Sequence, residues 1–221
     1  MLLFLLGTKN KTHIHLTPMT SRHLYFFNVT QHGFPAFAWM NFVRNPVSRF
    51  ISDFYYVRGR HRWIHNRVLK NQPRPSELWF NMSLDTCVAE ANTECLPALG
   101  QDHELQLTYF CGQHPHCRIV GDRGALARAK RHAEHYYSVV GILEEMPLSL
   151  QVLQAYMPRF FTGATQMNNS TGEIRRNVKH DKPEVSETTK RALESRLKED
   201  MEFYQFLKQR LHLQAEALSE K

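Results

Sequence analysis

Runs and recurrences of apolar positions divide the chain into strands and helices. Met1 to Leu6 is an unbroken apolar run of strand length, and a polar stretch from Gly7 to Thr20 then leads to a second apolar segment at His23 to Val29. Ala36 to Val43 is an apolar and aromatic run ending in Arg44-Asn45-Pro46, where Asn45 can cap a helix and Pro46 can occupy its first turn. Val47, Phe50, Ile51 and Phe54 recur at helical spacing, so Arg44 is predicted at a strand-to-helix junction. Short helices are expected around Ser83 to Ala91 and Gly124 to His135, the second feeding an apolar strand at Tyr137 to Ile142. A further helix, about Pro147 to Tyr156, ends at Pro158, and a polar Gly/Asn/Ser stretch from Gly163 to Gly172 runs into the basic segment Arg175 to Lys182. Pro183 then opens a long terminal helix in which Leu193, Leu197, Met201, Tyr204, Leu207 and Leu211 form one apolar stripe. The stripe has too few heptads for a coiled coil and reads as core packing.

Composition narrows the class. With 221 residues, 42% of them apolar and including 14 Phe and 8 Tyr, the chain supports a single α/β or α+β domain rather than two domains or long disorder. A formal charge of +7 with 13 His predicts attraction to polyanions. Nucleic acid, anionic glycan, acidic membrane and a nucleotide-like cofactor all fit that charge, as does a merely basic soluble protein. A nucleic-acid role rests on charge alone, because no recognised binding module is present. The segment Arg58 to Arg74 is basic and turn-rich, interleaving Arg58, Arg60, Arg62, Arg67, Lys70 and Arg74 with His61, Trp63 and His65, and reads as a surface loop.

The four Cys fall as two close pairs, Cys87 with Cys95 and Cys111 with Cys117, the spacing of two small disulfide-closed loops and a sign of an oxidising compartment. Cys111, His114, His116 and Cys117 also offer soft metal ligands, but adjacent His116 and Cys117 and the lack of a C-x-x-C pair make tetrahedral closure awkward, so no metal is expected. Glycosylation tripeptides at Asn10, Asn28, Asn81, Asn168 and Asn169 agree with a lumenal setting. The opening MLLFLL is too short for a signal peptide or an anchor, which suggests the C-terminal part of a longer protein.

A helix N-terminus following a strand is a preformed anion site, because its free N–H groups and dipole point at incoming charge, and Arg44 adds a positive fork. Here the segment FVRNPVSRFISDF, Phe42 to Phe54, resembles the one by which sulfotransferases hold the 3′-phosphate of 3′-phosphoadenosine 5′-phosphosulfate, with Arg44 and Ser52 at the matching positions. YFCGQHPHCRI (Tyr109 to Ile119), VVGILEEM (Val139 to Met146), MPRFFTGAT (Met157 to Thr165) and MEFYQFLKQRLHL (Met201 to Leu213) follow in the order of the uronyl and heparan sulfate 2-O-sulfotransferases. The resemblance covers about Ser21 to Leu213 and is strongest to the uronyl branch.

That resemblance implies an α/β, P-loop-like sulfotransferase domain with a central parallel sheet flanked by helices. It implies sulfuryl transfer to the 2-hydroxyl of uronic acid in dermatan, chondroitin or heparan sulfate, with His23 as the base that takes the acceptor's proton. Some relatives carry a second His two residues earlier, where this chain has Ser21. By position, Arg58, Arg62 and Arg67 are expected to contact the acceptor, and Asn177 and His180 to close over the nucleotide. It also implies a Golgi-lumenal location, a glycosaminoglycan partner, a homotrimer, and a membrane anchor in the full-length protein. The family's lysine-containing phosphosulfate loop and first strand have no counterpart before His23, so residues 1–221 are expected to be one N-terminally incomplete domain with poor cofactor binding and turnover. The rival expectation is a non-catalytic basic glycan-binding protein derived from the same fold.

Overall fold

The structure is a computed structural model and describes residues 3–7, 20–60, 73–170 and 183–220. Among these, β1 (Leu3–Gly7), β2 (Thr20–Arg22), β3 (Phe37–Val43) and β4 (Tyr137–Ile142) form one sheet in the order β2-β1-β3-β4. β3 and β4 are parallel, with Trp39 opposite Tyr137 and Val43 opposite Ile142, whereas β1 runs antiparallel to both β2 and β3. The parallel pair is the centre of the fold. The sheet around it is mixed, because β1 enters in the opposite sense. Parallel strands need a long crossover, here supplied by α1 (Pro46–Val57), α2 (Glu77–Asn81), α3 (Leu84–Ala89), α4 (Gln106–Cys111) and α5 (Arg123–Tyr136). After β4 come α6 (Met146–Tyr156), α7 (Pro158–Phe161), α8 (Ala164–Ser170), α9 (Glu187–Arg196) and α10 (Lys198–Ser219).

A strand covered on both faces reads as a continuous apolar run, and β3 shows it: Trp39, Met40 and Val43 are all buried. Its one buried amide, Asn41, turns its Oδ1 onto the N–H of Phe42 at 2.8 Å. Around β3 and β4, one cluster gathers Phe110 of α4, Leu126 and Ala129 of α5, Val152 and Leu153 of α6, and Phe203, Leu207 and Leu211 of α10. A second cluster joins Val47, Phe50 and Phe54 of α1 to Leu84 of α3, Leu105, Val120, and Leu193 and Leu197 of the C-terminal segment.

The terminal stripe therefore serves two cores. Ser186 caps α9, accepting from the Thr189 N–H at 3.3 Å, and the helix turns at Leu197 (φ −98°, ψ 23°) before α10 continues. Leu193 and Leu197 pack in the α1 cluster, with Met201 half-buried against it, whereas Tyr204, Leu207 and Leu211 pack on the sheet. The expected helix from Pro183 is thus two helices, because one straight helix cannot direct its stripe into both clusters. Two further differences concern elements. The polar stretch after Gly163 contains α8, whose Ala164 packs on the main cluster, and Gly163, at φ +84°, makes the turn before it. No helix was expected at α4, and every one of its residues is buried, so it carries no amphipathic period to read.

Both cysteine pairs are bonded as expected, Cys87–Cys95 with Cα atoms 6.0 Å apart and Cys111–Cys117 with Cα atoms 5.5 Å apart. Immediately after Cys111, Gly112 has φ +105°, and a Cβ there would stand 2.8 Å from the Phe26 carbonyl oxygen. Only glycine lets the segment carrying Phe26 come this close. Among the described residues, no helix is long and apolar enough to cross a membrane.

Candidate functional site

The C-terminal ends of β3 and β4 open into a cleft of about 670 Å³, a volume within the usual range for ligand sites, roughly 300–1,000 Å³. One wall is α1. Its Val47, Phe50 and Phe54 face the core, and the opposite face, Arg49, Ser52, Asp53 and Tyr56, lines the cleft. The spacing i, i+3, i+4, i+7 places these four on one side of a helix. The other wall comes from His103, Glu104, Gln106 and Tyr109, and Phe42, Arg44, Leu143 and His23 complete the lining.

Arg44 is held by its backbone. The Gln106 side chain accepts from the Arg44 N–H at 3.0 Å and donates to the Arg44 carbonyl at 3.0 Å. Glu144, just beyond β4, accepts from the Asn45 N–H at 2.9 Å and lies 3.9 Å from Arg44 Nε, while its other oxygen accepts from the Tyr204 hydroxyl at 3.2 Å. Desolvation, followed by the Glu144 charge, raises the Tyr204 phenol well above its ordinary range. Asn45 Oδ1 accepts the Ser48 N–H at 3.0 Å. These contacts change the expected picture of an anion held by free backbone donors, since the N–H groups of Arg44, Asn45 and Ser48 all have partners. On the cleft side the Arg44 side chain, 41% exposed, shares the lining with Ser52 of α1. A guanidinium and a hydroxyl suit a phosphate by charge-assisted hydrogen bonding, so the Arg44 and Ser52 end of the cleft fits one phosphate of a nucleotide.

His23 is exposed at the cleft, its ring 6.5 Å from that of Tyr109. The segment behind it is pinned at Phe26, whose N–H donates to the Tyr109 carbonyl at 2.7 Å and whose ring is buried in the main cluster. Partial burial, with the Arg49 guanidinium among the nearby charges, lowers the His23 pKa, while Glu104 opposes that shift. A neutral imidazole at neutral pH can accept a proton, as a general base must. Tyr109 also donates its hydroxyl to Glu104 and stacks on Tyr25 at 5.0 Å, which fixes this wall.

Arg44, Ser52 and His23, read from the sequence as site residues, thus line one cleft. Arg58 does not join them. Its side chain is 5% exposed, with the guanidinium 3.8 Å from the Phe54 ring centroid and 4.5 Å from that of Trp79, and it bonds Glu94 at 2.6 Å. This is a core position, so the expected acceptor contact by Arg58 gives way to an anchoring role. Arg62, Arg67, Asn177, His180 and Asn10 lie outside the described residues. Asn168 falls within α8. Asn81 is exposed at the end of α2, whereas Asn28 is half-buried and uses its Oδ1 to bond the Thr30 N–H at 3.1 Å and hydroxyl at 2.7 Å. Cys111, His116 and Cys117 bring possible metal-ligand atoms within 4.8 Å of one another, but the two sulfurs are joined in the disulfide.

Sequence reasoning missed Arg49, His103 and Gln106. The first was legible, since Arg49, Ser52, Asp53 and Tyr56 recur at helical spacing opposite the apolar face. His103 and Gln106 carried no such signal, because their place depends on how α4 packs.

A model described as the sulfotransferase family matches residues 6–207. The uronyl 2-sulfotransferase homolog pip of Drosophila melanogaster is 34% identical over 96% of this chain and 43% of its own length. The human uronyl 2-sulfotransferase is 31% identical over 87% of this chain and 47% of its own length. Human heparan sulfate 2-O-sulfotransferase 1 is 30% identical over 83% of this chain and 50% of its own length. The chain spans about half the length of the curated relatives it matches.

Proposed function

The chain belongs to the sulfotransferase family, and from that premise we propose that residues 1–221 form one domain of a glycosaminoglycan 2-O-sulfotransferase. The donor is 3′-phosphoadenosine 5′-phosphosulfate, and the acceptor is the 2-hydroxyl of a uronic acid in dermatan, chondroitin or heparan sulfate. The similarity to a uronyl 2-sulfotransferase and a heparan sulfate 2-O-sulfotransferase supports this acceptor class. The observation that carries the reading is the meeting of Arg44 and Ser52 with His23 around one cleft.

The donor, when bound, supplies an activated sulfuryl group whose leaving group is a phosphate. Arg44 and Ser52 hold its 3′-phosphate, and Gln106 and Glu144 fix the junction from which Arg44 projects. His23 removes the proton of the attacking hydroxyl, so that the new S–O bond forms without leaving a charged alcohol. Among the described residues no lysine lines the cleft, and the grip on the 5′-phosphosulfate is assigned to none of them. The bonded cysteine pairs and the exposed sequon at Asn81 support a lumenal setting, which for this chemistry is the Golgi. The homotrimer follows from the family resemblance alone.

The test is sulfate transfer from labelled donor to desulfated glycosaminoglycan by the full-length protein and by His23→Ala. Loss of a general base lowers turnover by about 10²–10⁴-fold. Equal turnover in the two proteins would remove His23 from the reaction.

A further inference from the structure

The wall facing α1 carries a second imidazole, His103, that the proposed reaction does not use. Its backbone is fixed, because its N–H donates to the Arg118 carbonyl at 2.8 Å and the adjacent Asp102 is bridged to Ile119. The ring packs on Phe50, with centroids 6.0 Å apart, and is half-buried. Charged groups surround it from each neighbouring element. Arg49 and Asp53 come from α1, Asp102 from its own segment, and Arg118 from the turn Pro115–Arg118. Glu199 and Asp200 of α10 share with it the small cavity behind the ring. Burial first, then Arg49, lowers its pKa, so the ring is neutral near pH 7.

Among the described residues the lining of the cleft is balanced in fixed charge, with Arg44 and Arg49 against Asp53 and Glu104. Among the described residues of this lining, a group that can take up a proton is what adds net attraction for a polyanionic sugar chain. His103 and Arg49 line the same cleft beside His23, and Arg49 lies within Coulombic reach of both imidazoles. We propose that His103, together with Arg49, binds an acidic group of the acceptor polysaccharide, a carboxylate or sulfate ester on the residue being modified or its neighbour. This rests on the reading of the cleft as the acceptor site and adds to it a substrate contact that titrates.

The experiment measures the affinity of the full-length protein for a 2-O-desulfated heparan oligosaccharide at about pH 8 and about pH 5.5. A His23→Gln background removes the other imidazole that lines the cleft among the described residues. There the affinity is expected to rise about tenfold at the lower pH, the scale of one hydrogen bond gaining a charge. Adding His103→Gln, or His103→Asn as a second variant of similar size, should flatten that response. An unchanged pH response in either folded double variant would overturn the proposal. Binding of adenosine 3′,5′-bisphosphate separates this result from the nucleotide reading: His103→Gln should leave it intact, whereas failure of the nucleotide site would appear as wild-type protein that does not bind it.

Discussion

The two ends of α1 each carry an arginine, and the surroundings give them opposite roles. At the N-terminal end the Arg44 backbone is clamped by Gln106 and its side chain is left 41% exposed toward the cleft. At the C-terminal end Arg58 is inverted, with its guanidinium enclosed by Phe54 and Trp79 and bonded to Glu94 at 2.6 Å. A cation kept within reach of solvent is available to a ligand. One already stacked on aromatic rings and paired with a carboxylate is committed to the fold. Residue type and local charge density therefore say little about which basic residues of such a chain meet an anion.

The largest expected effect breaks the comparison at the cleft end. Arg44→Ala should weaken adenosine 3′,5′-bisphosphate binding by the full-length protein about 10–100-fold, the loss of one charge-assisted hydrogen-bonding group, with little change in melting temperature. Calorimetric titration checks it, and wild-type affinity in the variant would mean that the phosphate is held elsewhere. Next in size is the reverse pattern at the other end. Arg58→Ala should lower stability by about 2 kcal/mol, since it empties a packed aromatic site and takes the cation from Glu94, leaving it the Trp79 indole N–H at 3.0 Å. Bisphosphate affinity should stay at the wild-type value. A variant that lost affinity but kept its stability would return Arg58 to the site.

What was legible before the structure follows the same division. The strand-helix junction at Arg44, the caps at Asn45 and Pro46, β4 and the cysteine pairs were all readable, because each depends on neighbours a few residues away. His23 and Ser52 came from resemblance, and the cleft that unites them with Arg44 is a property of the fold. Arg58 was misread because its partners, Trp79 and Glu94, lie far along the chain. The α4 helix was invisible for a related reason. Buried on all sides, it has no polar face to give it a period, and Gln106 within it looks like any polar residue until its amide is seen against Arg44.

The smallest expected effect concerns the packing behind the cleft and separates structural from binding electrostatics along α1. Asp200 of α10 is buried and accepts the Leu107 N–H at 2.7 Å at the start of α4. Burial pushes its pKa up from 3.8 to about 6, opposed by the backbone donors of Leu107 and Gln106 and by the Arg49 charge. The folded chain thus holds this proton more tightly than the unfolded chain. Stability contributed by the neutral acid is complete below pH 3.8, falls as pH rises toward about 6, and is flat above that. Asp200→Asn keeps an oxygen for the Leu107 N–H and cannot ionise, so its stability relative to wild type should improve on going from pH 4 to pH 7. At pH 7 the net gain over wild type should be about 1 kcal/mol, because the cost of placing the new amide N–H groups in a closed site, the same at every pH, offsets part of what the lost ionisation returns. Thermal unfolding across that range is the measurement. If the difference between the two proteins does not change with pH, Asp200 carries no titrating load, and its part in holding α10 on α4 is the hydrogen bond alone. Bisphosphate affinity should remain that of wild type, as for Arg58→Ala, because Asp200 does not line the cleft.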